Sequence, residues 1–242
     1  MLWIIHFSPG EYWITIATTL SIEKLKSMNT KYVPALRYGF LTRFYDFLLS
    51  LTFPEKKIKR ALIKQCAFEG AEDVLDLGVG TATLSIMIKQ SFPCIGITGI
   101  DVDKKILELA ARKIRIEKVL NIKLMQYDGF EIPFGDGCID KVVSSLVFHH
   151  LSTQTKKVVL SEVHRVLRPG GELHIADFGK SANFYTKLAF AVFRRFDGEE
   201  NTRVNSKGLL PQFILNAGFR YVKQTVHFNT AFGTVTLLKA KK

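Results

Sequence analysis

Short apolar runs alternate with amphipathic stretches through the middle of the chain, between residues 74 and 177. The apolar runs predict five strands, at 74–77, 95–100, 122–127, 139–145 and 171–177. The stretches between them place apolar residues at helical spacing and predict helices at 81–91, 103–118 and 153–167. Because the strands alternate with helices, the pattern predicts a parallel sheet with right-handed connections.

The pattern changes after Asp177. An aromatic-rich helix is predicted at 182–196, and a second helix at 207–217. Two further strands, at about 219–228 and 232–240, are separated by a tight connection, which predicts an antiparallel pair. The predicted architecture is therefore an α/β fold with a doubly wound, seven-stranded sheet. Most of the sheet is parallel, a reversed C-terminal hairpin ends it, and helices cover both faces.

Two helical patterns precede the first strand. Residues 40–52 are amphipathic, and Pro54 begins a second pattern with Lys and Arg on one side. Together they predict an N-terminal helical lid over 28–70, ahead of a main domain over 71–242.

Residues 1–27 form an apolar extension. No apolar run in it reaches the ~18 residues that span a bilayer, and it lacks the basic start and cleavage site of a signal peptide. Two hypotheses remain: a short interfacial anchor, or translation that starts at Met28, with the extension not native. The second is favoured because the segment has no helical or strand period of its own.

The segment Val74–Ser85 carries the most informative local chemistry. A strand ends in Asp76, a turn with Gly78 and Gly80 follows, and a helix is predicted to begin near Thr81. Glycine lets the backbone approach a bound cofactor, and the helix N-terminus offers N–H groups to an anionic group. A carboxylate just ahead of the turn would repel a pyrophosphate, so it indicates a cofactor with a positive amino group.

This segment resembles the first motif of the class I S-adenosylmethionine-dependent methyltransferases, in which an acid precedes Gly-x-Gly-x-Gly. Further motifs follow in the family's order, at Cys94–Asp101, Ile122–Asp128, Ile139–Ser145 and Leu167–Asp177. The resemblance covers roughly residues 55–242. It implies a Rossmann-like fold, S-adenosylmethionine as cofactor and S-adenosylhomocysteine as product. One residue departs from the motif, since Ala82 replaces the third glycine, and alanine is small enough for close helix–strand packing.

Further acids fall at predicted strand ends, where such sheets bind ligands. Asp101 follows Gly78 by 23 residues, near the ~20 expected of a ribose-binding acid. A carboxylate can accept hydrogen bonds from both vicinal hydroxyls of a ribose. The family resemblance implies that Asp128 accepts from the adenine amino group. It also implies that Val102, Gly129 and Phe130 contact the adenine, and that Ser144 or Ser145 approaches the methionine portion.

The substrate side is marked by His149 and His150, which follow the fourth strand where related small-molecule methyltransferases carry a similar pair. One of them is a candidate base or orienting donor. The alternative, that both only satisfy the following loop and helix, stays open. Tyr45 resembles a tyrosine that relatives place over the cofactor, and a core aromatic is its alternative. A third ligand at suitable spacing is missing, so no metal site is predicted.

The chain carries a net charge of +12, and residues 180–242 hold eleven Lys and Arg against three Asp and Glu. A solvated basic face explains this, and peripheral contact with an anionic membrane stays open, supported by the apolar helix ending in Arg194 and Arg195. Three scattered cysteines favour buried thiols and a cytoplasmic protein. Nothing here indicates an oligomeric state.

Within the family, the chain resembles the branch of ubiquinone and menaquinone methyltransferases, which implies a small or lipid-like methyl acceptor. One alternative is a nucleic-acid (RNA) methyltransferase, but Ser145–Phe148 replaces the Asn/Asp-Pro-Pro-aromatic element of base-amine enzymes. Another is a cofactor-binding protein without catalytic activity. A nicotinamide oxidoreductase is disfavoured by Asp76 and by the reversed hairpin.

Overall fold

The computed structural model of the chain describes residues 53–179, 208–230 and 233–242. Its helices are α1 (Glu55–Cys66), α2 (Thr83–Ser91), α3 (Lys104–Ile116), α4 (Thr153–Val166) and α5 (Leu210–Asn216). Its strands are β1 (Asp73–Leu77), β2 (Gly96–Asp101), β3 (Ile122–Gln126), β4 (Ile139–Ser145), β5 (Leu167–Phe178), β6 (Arg220–Thr230) and β7 (Gly233–Lys241). The apolar extension, the predicted helices at 40–52 and 182–196, and Tyr45 lie outside the described residues.

The strands form one seven-stranded sheet in the order β3-β2-β1-β4-β5-β7-β6. Strands β1 to β5 pair in parallel, whereas β7 pairs antiparallel with both β5 and β6. The predicted parallel sheet with a reversed C-terminal hairpin is therefore confirmed. Since the strand order reverses between β1 and β4, their carboxyl ends open a crevice in which ligands of such sheets bind.

Helices cover both faces of the sheet because alternate strand residues point to opposite sides. On one face, Leu75 and Val142 belong to a core cluster with residues of α4 and α5. On the other face, Val74 and Val143 belong to a cluster with residues of α1 and α2. Helix α3 joins α2 through a smaller cluster. Both faces of β1 and β4, the two strands whose ends form the crevice, are thus buried.

Most predicted element boundaries agree with the structure to within two or three residues. The main difference is β5, which begins at Leu167 rather than at 171, because Leu167 already pairs with Ile139 before an irregularity in register. Helix α2 begins at Thr83 rather than near Thr81. Its N-cap residue, Ala82, has a left-handed backbone (φ 60°) that cannot continue a helix.

Helix α1 corresponds to the second helix of the predicted lid, and it packs against the sheet through Ile58 and Leu62. Residues 28–52, the rest of that predicted lid, are not described. Among the described residues, no helix is long and apolar enough to cross a membrane. The prediction that the cysteines are buried holds for Cys66 but is wrong for Cys94, which is exposed in the loop before β2.

Candidate active site

Asp76 is buried near the carboxyl end of β1 and accepts a hydrogen bond from Ser85 Oγ on α2 at 2.6 Å. Burial raises the pKa of Asp76 to about 6, and the bond from Ser85 acts in the opposite direction. A buried carboxylate without a described cationic partner in contact is costly. A ligand with a positive amino group would relieve that cost.

The turn after β1 is shaped by glycines with left-handed backbones. At Gly78 (φ 71°), a Cβ atom would lie 2.4 Å from Val147 Cγ2, so this glycine allows the loop after β4 to approach the turn. At Gly80 (φ 53°), a Cβ atom would meet nothing within 4 Å. The backbone at Gly80 therefore faces open space, as a cofactor-binding turn requires. Thr81 is exposed beside it.

Ala82 occupies the third glycine position of the motif, and the reason for glycine there differs from the one expected. The residue is fully buried, as close packing requires, but its φ of 60° is the conformation that L-residues avoid. The substitution therefore stores backbone strain at the start of α2 rather than filling space that the cofactor needs.

Asp101 at the end of β2 fixes the glycine turn from the side. Its Oδ2 accepts from Gly80 N at 3.0 Å, and its Oδ1 accepts from Asp103 N at 3.1 Å. Each carboxylate oxygen has about two acceptor sites. Asp101 can thus hold the turn and still has acceptor sites left, and its role toward the ribose hydroxyls stays a prediction.

Asp128 follows β3 and organises the loop predicted to bind adenine. Its Oδ1 accepts from the backbone N–H groups of Phe130 and Glu131, at 2.9 Å each. The intervening Gly129 has a left-handed backbone (φ 87°), and a Cβ atom there would lie 3.2 Å from Val102 Cγ1. The structure therefore brings Val102 and Gly129 together, as a shared adenine-binding wall requires.

The two serines at the end of β4 differ in their hydrogen bonding. Ser144 Oγ donates to the carbonyl oxygen of Leu77 at 3.0 Å, so it is already used in tying β4 to β1. Ser145 Oγ is buried and has no hydrogen-bond partner among the described residues. Since an unpaired buried hydroxyl is costly, Ser145 rather than Ser144 is the group left for a ligand.

The histidine pair lies in a short turn after β4. His149 is buried, His150 is exposed, and their ring centroids are 3.8 Å apart. His149 Nδ1 lies 2.9 Å from Asp177 Oδ1, at the end of β5. His149 also contacts the ring of Phe178 edge-on, with centroids 5.0 Å apart. The orientation of His149 is therefore fixed by a buried carboxylate and an aromatic ring.

No role is predicted for Asp177 from the sequence, although this buried carboxylate contacts His149 in the structure. Burial opposes its ionisation, but contact with His149 and hydrogen bonds outweigh burial and lower the pKa of Asp177. The usable signal was its position, an acid at the end of the strand next to β4. Lys156 was also missed. It is buried on α4, its Nζ donates to Leu151 O at 2.7 Å, and burial lowers its pKa to about 8 while Asp177 opposes this.

The described residues fit a cofactor that carries an ammonium group, a ribose and a base. Carboxylates stand at the ends of β1 and β2 and after β3, next to the open backbone of Gly80 and the unpaired hydroxyl of Ser145. No group of three or more potential metal-ligating side chains occurs in the described ranges. It is the carboxylates, the open backbone of Gly80 and the hydroxyl of Ser145 that suit an organic cofactor.

Comparisons with known proteins agree with this geometry. Residues 74–171 match the family described as "Methyltransferase domain". A demethylmenaquinone methyltransferase of Thermus thermophilus is 31% identical over 159 residues, which are 66% of this chain and 69% of that protein. A ubiquinone/menaquinone biosynthesis C-methyltransferase of Geobacter sp. is 32% identical over 64% of this chain and 63% of that protein.

A solved structure supports the fold. The S-adenosylmethionine-dependent methyltransferase of Aquifex aeolicus superposes with a TM-score of 0.61 over 81% of this chain and 97% of that chain, at 19% identity. At this identity the likeness concerns the fold, and it covers the sheet that positions the acids described above.

Proposed function

We propose that this chain, which belongs to the class I S-adenosylmethionine-dependent methyltransferases of the ubiquinone and menaquinone type, methylates a ring carbon of a lipid-like quinol. The chain is an enzyme that uses S-adenosylmethionine to methylate a small molecule. The proposal adds the acceptor class and the acceptor atom. Its support comes from relatives named for demethylmenaquinone and for C-methyl transfer.

The observation that carries the proposal is the buried imidazole of His149, paired with Asp177 just beyond the end of β4. S-adenosylmethionine supplies an electrophilic methyl group, which a ring carbon takes as the carbon–sulfur bond breaks and its electron pair stays on sulfur. The hydrogen on that ring carbon then leaves as a proton and the deprotonated oxygen regains one, which restores the aromatic quinol, so one proton is released in all. A quinone ring is electron-poor, whereas the reduced quinol becomes nucleophilic at carbon when a base removes a hydroxyl proton. His149 is the proposed base, and the exposed His150 is the proposed orienting donor.

The roles proposed for the cofactor side follow from the geometry above. The Asp76 carboxylate pairs with the ammonium group, Asp101 accepts from the ribose hydroxyls, and Ser145 Oγ binds the methionine portion. The backbone of the glycine turn and Thr81 faces the carboxylate. Asp128, Phe130 and the wall of Val102 and Gly129 enclose the adenine. Tyr45, which is outside the described residues, stays a candidate cover for the sulfonium.

The test is a panel of acceptors offered to the purified full chain with S-adenosylmethionine. A short-chain demethylmenaquinol, kept reduced under anaerobic conditions, is compared with its oxidised quinone, with a benzoquinol and with bulk RNA. Mass spectrometry is expected to find one added methyl group on a quinol and none on the quinone or RNA. Methylation of RNA alone would favour the nucleic-acid alternative. Cofactor binding without any product would favour the non-catalytic one.

The Asp101→Ala variant is the control for the panel, because it removes a cofactor contact and leaves the histidine pair in place. The product is expected to disappear in parallel with cofactor binding, measured by calorimetry. Peripheral binding to anionic membranes and a cytoplasmic location stay predictions. Co-sedimentation with anionic vesicles at low salt tests the first.

A further inference from the structure

Asp177 accepts hydrogen bonds from backbone N–H groups just after β4 and at the end of β5. Its Oδ2 accepts from Val147 N at 3.0 Å and from Phe148 N at 2.7 Å. Its Oδ1 accepts from Phe178 N at 2.7 Å and faces His149 Nδ1 at 2.9 Å. A carboxylate offers about four acceptor sites. One buried side chain thus holds the whole turn that carries the histidine.

The contact with Asp177 sets which nitrogen of His149 carries hydrogen. A ring nitrogen that faces a carboxylate must be a donor, so the neutral imidazole has its hydrogen on Nδ1 and its lone pair on Nε2. Within the described part of the chain, the hydrogen bond to Asp177 is the polar contact of this ring. The edge-on packing of Phe178 and the contact with the tilted ring of His150 restrict rotation of the ring further.

The same turn is strained and touches the cofactor side. Leu146 has a left-handed backbone (φ 61°), which a leucine avoids, and its N–H donates to Ala176 O at 2.8 Å. Its neighbour Val147 donates to Asp177 and packs where a side chain at Gly78 would lie. Asp177 therefore stabilises a strained turn that carries two functional neighbours. His149, the proposed base, is one of them, and Val147, which packs against Gly78 of the glycine turn, is the other.

We propose that Asp177 is a positioning residue for the methyl transfer, which holds His149 as the Nδ1–H tautomer with Nε2 free to take the acceptor's proton. This inference rests on the proposed function. When the hydroxyl proton moves to Nε2, the imidazole becomes cationic beside the Asp177 carboxylate, which stabilises that charge. The charge of Asp177 also acts on Lys156, a second buried cationic side chain.

The tautomer is tested without any acceptor. Nitrogen-15 spectra of selectively labelled histidines, assigned with a His149→Gln variant, report which ring nitrogen is protonated. The neutral ring of His149 in the wild-type protein is expected to be protonated on Nδ1. The Asp177→Asn variant is expected to lose that preference. A wild-type His149 protonated on Nε2 would overturn the inference, whatever the protein methylates.

Replacing His149 by asparagine separates catalysis from structure. The amide of His149→Asn can still donate to Asp177, but it has no nitrogen at the Nε2 position. If His149 only supports the turn, this variant stays active. We expect kcat to fall on the order of 100-fold or more, with binding of S-adenosylmethionine and KM nearly unchanged. Near-wild-type kcat in His149→Asn would overturn the inference and the role of His149 as the base, whereas methylation of a quinol carbon would still be decided by the acceptor panel.

Asp177 itself is tested by a double-variant cycle. Asp177→Asn is expected to lower kcat of the wild type, yet to add little loss in the His149→Asn background, because it acts through that ring. Equal losses in both backgrounds would show that Asp177 acts independently of His149. If Asp177→Asn does not fold, the spectra of the wild type and the kinetics of His149→Asn still decide. A wild type inactive on every quinol would refute the proposed function and leave the tautomer result standing.

Discussion

Replacing Asp76 by asparagine separates the stability of the protein from its ability to hold the cofactor. Burial raises the pKa of Asp76 from its ordinary 3.8 to about 6. That gap corresponds to about 3 kcal/mol against the ionised form. Asparagine keeps an oxygen that can accept from Ser85 and has no charge to bury. Asp76→Asn is therefore expected to raise the free energy of unfolding of the cofactor-free protein by up to about 3 kcal/mol at neutral pH.

The gain depends on pH in a defined direction. Because the pKa in the folded state is raised, Asp76 imposes no penalty below about pH 4, and stability is lost as the pH rises through about 6. The difference between variant and wild type should thus grow from near zero to its full value across that window. Urea unfolding of both cofactor-free proteins at several pH values measures this difference in stability, from which the contributions of the other titrating groups cancel.

Calorimetry is expected to show that the variant no longer binds S-adenosylmethionine. A variant less stable at neutral pH, or a difference independent of pH, would refute the reasoning.

Two matched pairs test the turn and the end of β4. Gly78→Ala is expected to lower the free energy of unfolding by about 2–4 kcal/mol, because its Cβ would strike Val147, whereas Gly80→Ala costs about 1 kcal/mol and mainly weakens cofactor binding. Ser145→Ala is expected to raise the free energy of unfolding by about 1 kcal/mol, because it removes an unpaired hydroxyl, and to weaken cofactor binding several-fold. Ser144→Ala is expected to lower the free energy of unfolding by about 1 kcal/mol, because it removes a hydrogen bond to Leu77. Denaturation measures the free energy of unfolding and calorimetry measures cofactor binding. Equal effects of the two substitutions within either pair would contradict the roles given to these residues.

The fold was predictable because its signals are local. The strand–turn–helix at Asp76 and the acid at Asp101 lie within single connections of the chain, and strand polarity then brings their ends together. The tight connection between β6 and β7 likewise predicted a hairpin, and the two strands pair antiparallel as expected. In these segments hydrophobic pattern and turn chemistry agree, so local reading sufficed.

The contacts that complete the site join residues far apart in the chain. Asp177 and His149 are 28 positions apart and meet because β4 and β5 pair, with Ser145 opposite Ala176. Nothing local distinguishes an acid that binds a turn from one that faces solvent. The strain at Ala82 was invisible for another reason, since a residue's size can be read from sequence but its φ cannot.

The position of the transferred methyl group is the most direct test of carbon methylation of a quinol. The full chain is incubated anaerobically with S-adenosylmethionine labelled with carbon-13 in its methyl group and with a short-chain demethylmenaquinol. Carbon-13 NMR of the extracted product then distinguishes a methyl on a ring carbon from one on oxygen. The account predicts an aryl-carbon methyl that is absent when the oxidised quinone replaces the quinol. A methyl ether, or turnover of the oxidised quinone, would contradict it.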